Sequence, residues 1–135
     1  MQTYELDITD LSHDGRGVAR HEGKAVFVRG ALPGEHVRAV RTARHRQYDE
    51  ARVDAVLAAS PDRVEPRCVH FGTCGGCALQ HLAPAAQIAA KARTLMENLE
   101  RIGHVRPGRE LAPLASEAWG YRRRARLSVK RVDKK

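Results

Sequence analysis

The stretch SHDGRGVARHEGKAVFVRGALPGEHVRAV, residues 12–40, decides the fold. Its DGRG turn carries two glycines, which permit backbone angles that other residues resist. The apolar run AVFV at residues 25–28 is typical of a buried strand, and we expect Phe27 to lie in the core. A Pro-Gly turn signal follows at residues 33–34, and residues 36–39 then alternate polar and apolar side chains. The stretch therefore predicts short strands joined by tight turns.

Similar patterns lie on both sides of this stretch. Residues 4–8 alternate apolar and acidic side chains, and residues 53–57 alternate again before Ser60-Pro61 ends the run. The basic segment RTARHR, residues 41–46, is typical of an exposed hairpin tip. Five short strands with turn signals predict a mainly β fold, a small OB-like or SH3-like five-stranded β-barrel over residues 1–62.

The rest of the chain divides into three segments. Residues 63–83 lack clear periodicity and contain all three cysteines. The segment 84–120 begins with a predicted α-helix, residues 84–102, whose apolar side chains recur at three- and four-residue steps. Gly103 is a typical stop signal, and a connecting loop follows it. Residues 121–135 then look like a C-terminal strand.

Positive charge is concentrated in two places. The chain has 135 residues and a net charge of +8, and residues 121–135 hold eight basic residues and one acid. Residues 16–52 hold nine basic residues and four acids. Arginine outnumbers lysine 19 to 5, and arginine both pairs bidentately with phosphate and stacks on bases. This clustering indicates a surface that binds nucleic acid.

The sequence gives no sign of a membrane partner. No apolar run approaches the roughly 20 residues that span a bilayer. The N-terminal residues MQTYELDITD lack the basic and apolar regions of a secretory signal. We therefore expect a cytoplasmic protein, too short to hold a complete catalytic domain beside an RNA-binding module and a metal site.

The three cysteines form a candidate metal site. Cys68, Cys74 and Cys77 follow the spacing C-x5-C-x2-C within a glycine-bearing segment. Their odd number and the expected reducing compartment disfavour disulfides. Crowded thiolates suit an iron–sulfur cluster or zinc, and either needs a fourth ligand. That ligand is either His81, which completes a Cys3His zinc set, or a residue beyond residue 135 of a longer chain.

Three motifs in this order resemble a known enzyme family. DGRGVAR and GKAVFVRGALPGEHV resemble the TRAM module, a small RNA-binding β-barrel. The cysteine spacing resembles the cluster loop of the bacterial RNA (uracil-5)-methyltransferases that carry a 4Fe–4S cluster. YRRRARLSV resembles the first strand of the α/β central domain of these enzymes. The ordered set covers nearly the whole chain and is most similar to the members that methylate 23S ribosomal RNA.

The resemblance implies methyl transfer from S-adenosylmethionine to C5 of a flipped-out uridine in ribosomal RNA. It implies that Cys68, Cys74 and Cys77 bind the 4Fe–4S cluster, whose fourth cysteine the family places downstream. The nucleophilic cysteine and the S-adenosylmethionine-binding domain of the family have no counterpart in these residues. We therefore expect an N-terminal fragment of such an enzyme that has no catalytic residue, does not bind S-adenosylmethionine and is inactive by itself. Its cluster is expected to be structural and to attach the barrel to the missing catalytic part.

For ribosomal RNA we predict contacts from the basic residues of the barrel and of the C-terminal segment: Lys24, Arg29, Arg41, Arg44, Arg46, Arg122, Arg123, Arg124 and Arg126. Tyr48 and Phe27 could add stacking surface. Without its sheet partners, the strand at residues 121–135 is expected to be mobile or to pair with a neighbouring chain.

Two other functions fit the same residues. One is a stand-alone RNA-binding module with a Cys3His zinc site formed by Cys68, Cys74, Cys77 and His81. The other is a nucleic-acid-binding domain whose cysteines hold no metal. Bound metal distinguishes the three functions, because only the methyltransferase fragment requires iron and sulfide.

Overall fold

The computed structural model describes residues 2–126 and 128–131. These residues confirm the mainly β prediction, with one strand more than the five expected, because the two-residue β2 is too short to show alternation. The elements in chain order are β1 (Thr3–Asp7), β2 (Asp10–Leu11), β3 (Gly17–His21), β4 (Lys24–Arg29), β5 (His36–Arg44), β6 (Tyr48–Ala58) and α1 (Pro84–Arg101).

The six strands form one curled sheet in the order β1-β5-β6-β4-β3-β2. Neighbouring strands are antiparallel except β4 and β6, which are parallel. The two edge strands, β1 and β2, are separated in sequence only by Ile8 and Thr9. The Thr9 N–H donates to the Val18 carbonyl at 2.9 Å, so this bend draws the two edges of the sheet together. The curled sheet is a small open barrel, since among the described residues no strand pairing joins its β1 and β2 edges.

Alternating side chains fill the inside of the barrel. In β4 the buried residues are Val26 and Val28, and in β5 they are Val37 and Ala39. The prediction that Phe27 belongs to the core is wrong, because the strand period turns it outward between two buried valines. The buried apolar cluster comprises Tyr4, Leu6, Ile8, Ala19, Val26, Val28, Ala31, Val37, Ala39 and Ala51.

The basic hairpin is shorter at its tip than expected. Strand β5 continues through Arg44 and β6 starts at Tyr48, so most of RTARHR is strand and only residues 45–47 form the tip. The His45 N–H donates to the Tyr48 carbonyl at 2.9 Å and closes the turn.

The helix begins at Pro84 as predicted and ends at Arg101, one residue before the expected end. The Gly103 N–H donates to the Asn98 carbonyl at 3.0 Å, and a Cβ on Gly103 would lie 2.9 Å from the Leu99 carbonyl oxygen. No residue of α1 is buried. Gln87 holds the first turn of the helix to the cysteine segment. Along the rest of the apolar face Ile88 and Leu99 are half-buried and Leu95 is exposed.

The C-terminal segment differs from the predicted strand. Residues 121–126 and 128–131 are exposed and have no helix or strand, and the remainder of the predicted strand, at residues 127 and 132–135, lies outside the described residues. Strand pairing here depends on a partner strand, which the described residues do not supply. Across the described part of the chain, no helix has the length and apolar character needed to cross a membrane.

Gly17 lies so close to Ile8 and Ala31 that a side chain has no room there. A substitution of Gly17 should therefore destabilise the barrel. A Cβ at this position would lie 2.8 Å from Ile8 Cγ2 and 2.9 Å from Ala31 Cβ. We expect Gly17→Ala to lower the free energy of unfolding by about 1–3 kcal/mol through overpacking. Urea unfolding followed by circular dichroism measures the change. Gly108→Ala is the matched control, because nothing lies within 4 Å of the methyl group that it would add, and equal midpoints for the two variants would contradict this role.

Candidate nucleic-acid interface and cysteine loop

A buried ion pair joins the barrel to the segment that follows it. The Glu35 side chain is 0% exposed and accepts hydrogen bonds from Arg63 Nε at 2.5 Å and Nη2 at 2.8 Å. It also accepts from the N–H groups of Leu32 and Ser60 at 2.9 and 3.3 Å. Burial opposes ionisation of this carboxyl, but the Arg63 guanidinium and the two N–H donors together hold the pKa of Glu35 below its usual value. The Arg63 Nη2 also donates to the Gly30 carbonyl at 2.7 Å, so Arg63 contacts the barrel twice.

Arg63 also closes the base of the cysteine loop, residues 65–80. It forms an isolated antiparallel bridge with Leu82, and the Val64 N–H donates to the His81 carbonyl at 2.9 Å. The Ala83 N–H donates to the Asp62 carbonyl at 2.9 Å, immediately before α1 begins. One ion pair therefore positions both ends of the loop and the start of the helix.

The DGRG turn of the barrel packs against the far end of the same loop. A Cβ on Gly15 would lie 3.0 Å from Ala78 Cβ and 3.2 Å from Leu79 Cδ2, and Gly15 has a φ of 85°. At this position glycine meets both a close approach and a left-handed backbone conformation. Gln87 of α1 supports this side of the loop, because its Nε2 donates to the carbonyls of Leu79 and Leu82 at 3.0 and 2.8 Å.

The cysteine loop has the right donors for a metal centre but does not gather them. Cys68 is half-buried, Cys74 and Cys77 are exposed, and all three thiols are free. The Gly76 N–H donates to Cys74 Sγ at 3.5 Å. Within the residues described, however, no three His, Cys, Asp or Glu side chains converge on a point that could hold a metal ion. The thiols thus match cluster chemistry, and the arrangement does not form a site.

The imidazole of His81 is buried beside the loop. The residue is 2% exposed, and neither ring nitrogen has a hydrogen-bond partner among the described residues. Burial is the main reason that the pKa of His81 falls to about 4. The positive charge of Arg63 also lowers this pKa, and the negative charge of Glu35 raises it. Its ring lies 5.2 Å from that of Phe71. The neutral imidazole could act as a metal ligand, but the described residues do not group it with the three cysteines.

Two of the basic residues predicted to contact RNA are half-buried and pair with a buried carboxylate of the barrel. Lys24 Nζ lies 2.5 Å from Asp49 Oδ1, and Arg41 Nη1 lies 4.0 Å from Asp49 Oδ2. The Tyr4 hydroxyl donates to Asp49 Oδ2 at 2.7 Å. The Lys24 hydrogen bond, followed by that of Tyr4, lowers the pKa of Asp49, and burial raises the pKa of Tyr4. Lys24 and Arg41 therefore stabilise one end of the barrel around a buried carboxylate.

Other predicted basic residues of the barrel remain available. Arg29, Arg44 and Arg46 are exposed, and in the part of the chain that the structure describes they form no ion pair. Arg52, which the sequence analysis did not select, is exposed in the same way and lies in register with Arg29 across the parallel β4–β6 pair. The alternation of side chains along β6 could have identified Arg52, because it places this residue on the outer face of the sheet.

Aromatic rings accompany these arginines on the outer face. Phe27 and Tyr48 meet edge to face, with ring centres 5.4 Å apart and planes at 82°. His45 stacks on Tyr48, with centres 4.3 Å apart and planes at 24°. The Arg16 guanidinium lies 4.8 Å from the centre of the Phe27 ring. Sequence reasoning selected Phe27 and Tyr48 but missed Arg16 and His45, whose proximity depends on strand register.

The C-terminal arginines form a separate exposed group. Arg122 lies over the ring of its neighbour Tyr121, 5.8 Å from the ring centre. Arg123, Arg124 and Arg126 are exposed. The structure does not bring this group together with the basic residues of the hairpin through any hydrogen bond or ion pair among the described residues.

Comparison with known proteins confirms the resemblance that the motifs indicate. Residues 1–53 match the TRAM domain family. Over 98% of its length the chain is 64% identical to the 23S rRNA (uracil(1939)-C(5))-methyltransferase RlmD of Stenotrophomonas maltophilia (strain K279a), and it spans 30% of that protein. It is 61% identical, with the same coverage, to RlmD of Xanthomonas oryzae pv. oryzae (strain KACC10331 / KXO85).

Among solved structures, the chain is similar to a conserved protein of Methanococcus maripaludis. The two are 31% identical, the match covers 40% of this chain and 77% of the other, and the TM-score is 0.39.

The buried ion pair predicts a large effect of a single truncation. In Arg63→Ala the Glu35 carboxylate loses its counter-charge while it stays buried, so we expect the free energy of unfolding to fall by about 3–5 kcal/mol. Arg38→Ala is the control, because Arg38 and Asp54 form an exposed pair at 3.0 Å whose loss costs about 1 kcal/mol or less. Urea unfolding of both variants gives the comparison. If Arg63→Ala were no more destabilised than Arg38→Ala, Arg63 would not join the barrel to the loop.

Proposed function

We propose that this chain is the RNA-binding and iron–sulfur part of an S-adenosylmethionine-dependent 23S rRNA (uracil-5)-methyltransferase. The observation that carries this proposal is the 60–64% identity, over 98% of the chain, with proteins named for that activity. The similarity runs through the barrel, the cysteine loop and the helix rather than through the TRAM-like barrel alone. The chain spans 30% of these relatives, and we propose that methyl transfer depends on parts of the enzyme outside these 135 residues.

The barrel supplies the RNA contact in this proposal. Its outer face carries exposed arginines without ion-pair partners in the described residues, at positions 29, 44, 46 and 52. Exposed arginines that are free of carboxylates can pair with phosphates, which release counterions when they bind. Arg122, Arg123, Arg124 and Arg126 extend the same chemistry on the C-terminal side. Lys24 and Arg41 contribute indirectly, since their contacts with Asp49 hold the hairpin in place.

Cys68, Cys74 and Cys77 would hold a 4Fe–4S cluster together with a fourth ligand from outside the described residues. Such a cluster would be structural, because methylation of uracil C5 needs no electron transfer. Its three thiolates from this chain would tie the cysteine loop to the fourth ligand. The bridge between Arg63 and Leu82 and the Glu35 ion pair would transmit that attachment to the barrel.

The first test concerns the arginines of the hairpin. Arg44→Gln combined with Arg46→Gln removes two exposed charges without breaking an ion pair. We expect weaker binding of a 23S rRNA fragment, and a plot of log affinity against log salt whose slope falls by about 1–2 units. Fluorescence anisotropy over a salt series measures both. Arg38→Gln and Arg106→Gln together are the control, since Arg38 is paired with Asp54 and Arg106 is paired with Glu100. Equal slopes in all three proteins would contradict the assignment.

The second test concerns the cysteines. After anaerobic reconstitution we expect the protein to bind iron and sulfide in matched amounts and to turn brown, and Cys68→Ser, Cys74→Ser or Cys77→Ser to abolish this. His81→Gln is the control and should retain the iron. A colourless protein that binds one zinc ion, and loses it in His81→Gln, would instead establish the Cys3His module.

A further inference from the structure

We propose that the β5–β6 hairpin carries a base-stacking site for single-stranded RNA, formed by the rings of His45 and Tyr48 and bordered by Arg44 and Arg46. The inference rests on the proposed RNA-binding function. It goes further by naming the form of RNA and the side chains that receive an unpaired base.

The two rings are already stacked in the free protein. The His45 ring lies nearly parallel to the Tyr48 ring, with ring centres 4.3 Å apart. The backbone N–H of His45 donates to the backbone carbonyl of Tyr48 at 2.9 Å across the turn. Phe27 supports Tyr48 from the side at 5.4 Å. Because this turn and the sheet behind it fix the rings, a base stacking here would order little additional structure.

The stacked rings of His45 and Tyr48, the platform, remain accessible on the His45 side. The imidazole of His45 covers Tyr48 on one side, and its side chain is still 42% exposed. Tyr48 cannot turn inward, since its strand neighbours Asp49 and Ala51 occupy the buried positions of β6. The flat side of His45 away from Tyr48 is thus the surface on which a further ring can stack.

The charge around the rings selects a phosphate-linked ligand. Arg44 and Arg46 flank His45 in sequence, both are exposed, and neither has an ion-pair partner in the described residues. Glu50, the nearby acid, is shared between Arg16 at 3.4 Å and His45 at 3.6 Å. The platform therefore joins an aromatic face to unpaired positive charge, the combination that single-stranded nucleic acids recognise.

Duplex RNA does not match this surface. Bases in an A-form helix are stacked on each other, so their faces are closed to a protein ring. An unpaired base can lie on His45 while the phosphates on its two sides meet the flanking arginines. Sequence preference should be small, because every base offers a π-face.

The test uses the full 135-residue chain and a labelled single-stranded uridine oligomer of about 10 nucleotides, read by fluorescence anisotropy. We expect His45→Ala to weaken binding roughly 5- to 100-fold, and His45→Phe to restore it to within about twofold of the unsubstituted chain. His70→Ala, which removes an exposed imidazole of the cysteine loop, should leave the affinity unchanged. His45 lies at an exposed tip, so its removal should not unfold the barrel, and circular dichroism checks this.

A second oligomer separates stacking from charge. An abasic strand of the same length keeps the phosphates and lacks the bases, so we expect it to bind the unsubstituted chain more weakly and to be insensitive to His45→Ala. An equal loss on both strands would overturn the stacking site, as would equal binding of duplex and single strand. If RNA binds with the expected salt slope but His45→Ala changes nothing, the stacking site is wrong and the proposed function stands. Absence of salt-dependent RNA binding would overturn both.

Discussion

The contact between Glu35 and Arg63 fixes the base of the cysteine loop and the start of α1 relative to the barrel. A carboxylate with no exposed surface accepts two hydrogen bonds from one guanidinium and two more from backbone N–H groups. Replacing both partners of such a pair with apolar side chains is often neutral for stability, whereas removing one partner is costly. The contribution of the pair is therefore mainly positional. It sets where residue 63 lies, and residue 63 sets the base of the cysteine loop and the start of α1.

Arginine and lysine have two different uses in this small domain. Those near buried carboxylates are structural, as Arg63 is with Glu35 and Lys24 is with Asp49. A second group, Arg29, Arg44, Arg46 and Arg52, is exposed and has no carboxylate partner among the described residues. The number of basic residues counts both groups equally, but only the second is free to pair with the phosphates of a ligand. The number of basic residues is therefore an upper bound on the positive charge available to such a ligand.

Local patterns in the sequence were sufficient for most of the barrel and insufficient for its surface. Alternation located β1, β5 and β6, and Pro84 marked the start of the helix, because both signals depend only on neighbouring residues. Phe27 was misplaced because a four-residue apolar run does not reveal which side chains face inward. Lys24 and Asp49 are 25 residues apart and meet through the parallel register of β4 and β6, which no local pattern contains. The cysteine spacing likewise identified three thiols but could not show whether they converge, and among the described residues they do not.

Because the base of the cysteine loop is closed, the loop can change in length and sequence without disturbing the barrel. Hydrogen bonds between residues 62–64 and 81–83 join its two ends, and the Glu35–Arg63 ion pair attaches this base to the barrel. The entropic cost of closing a loop grows slowly with its length, by about 0.6 kcal/mol for each doubling. Residues 65–77 can therefore be lengthened, shortened or replaced, together with the three cysteines, while the sheet and its register remain unchanged.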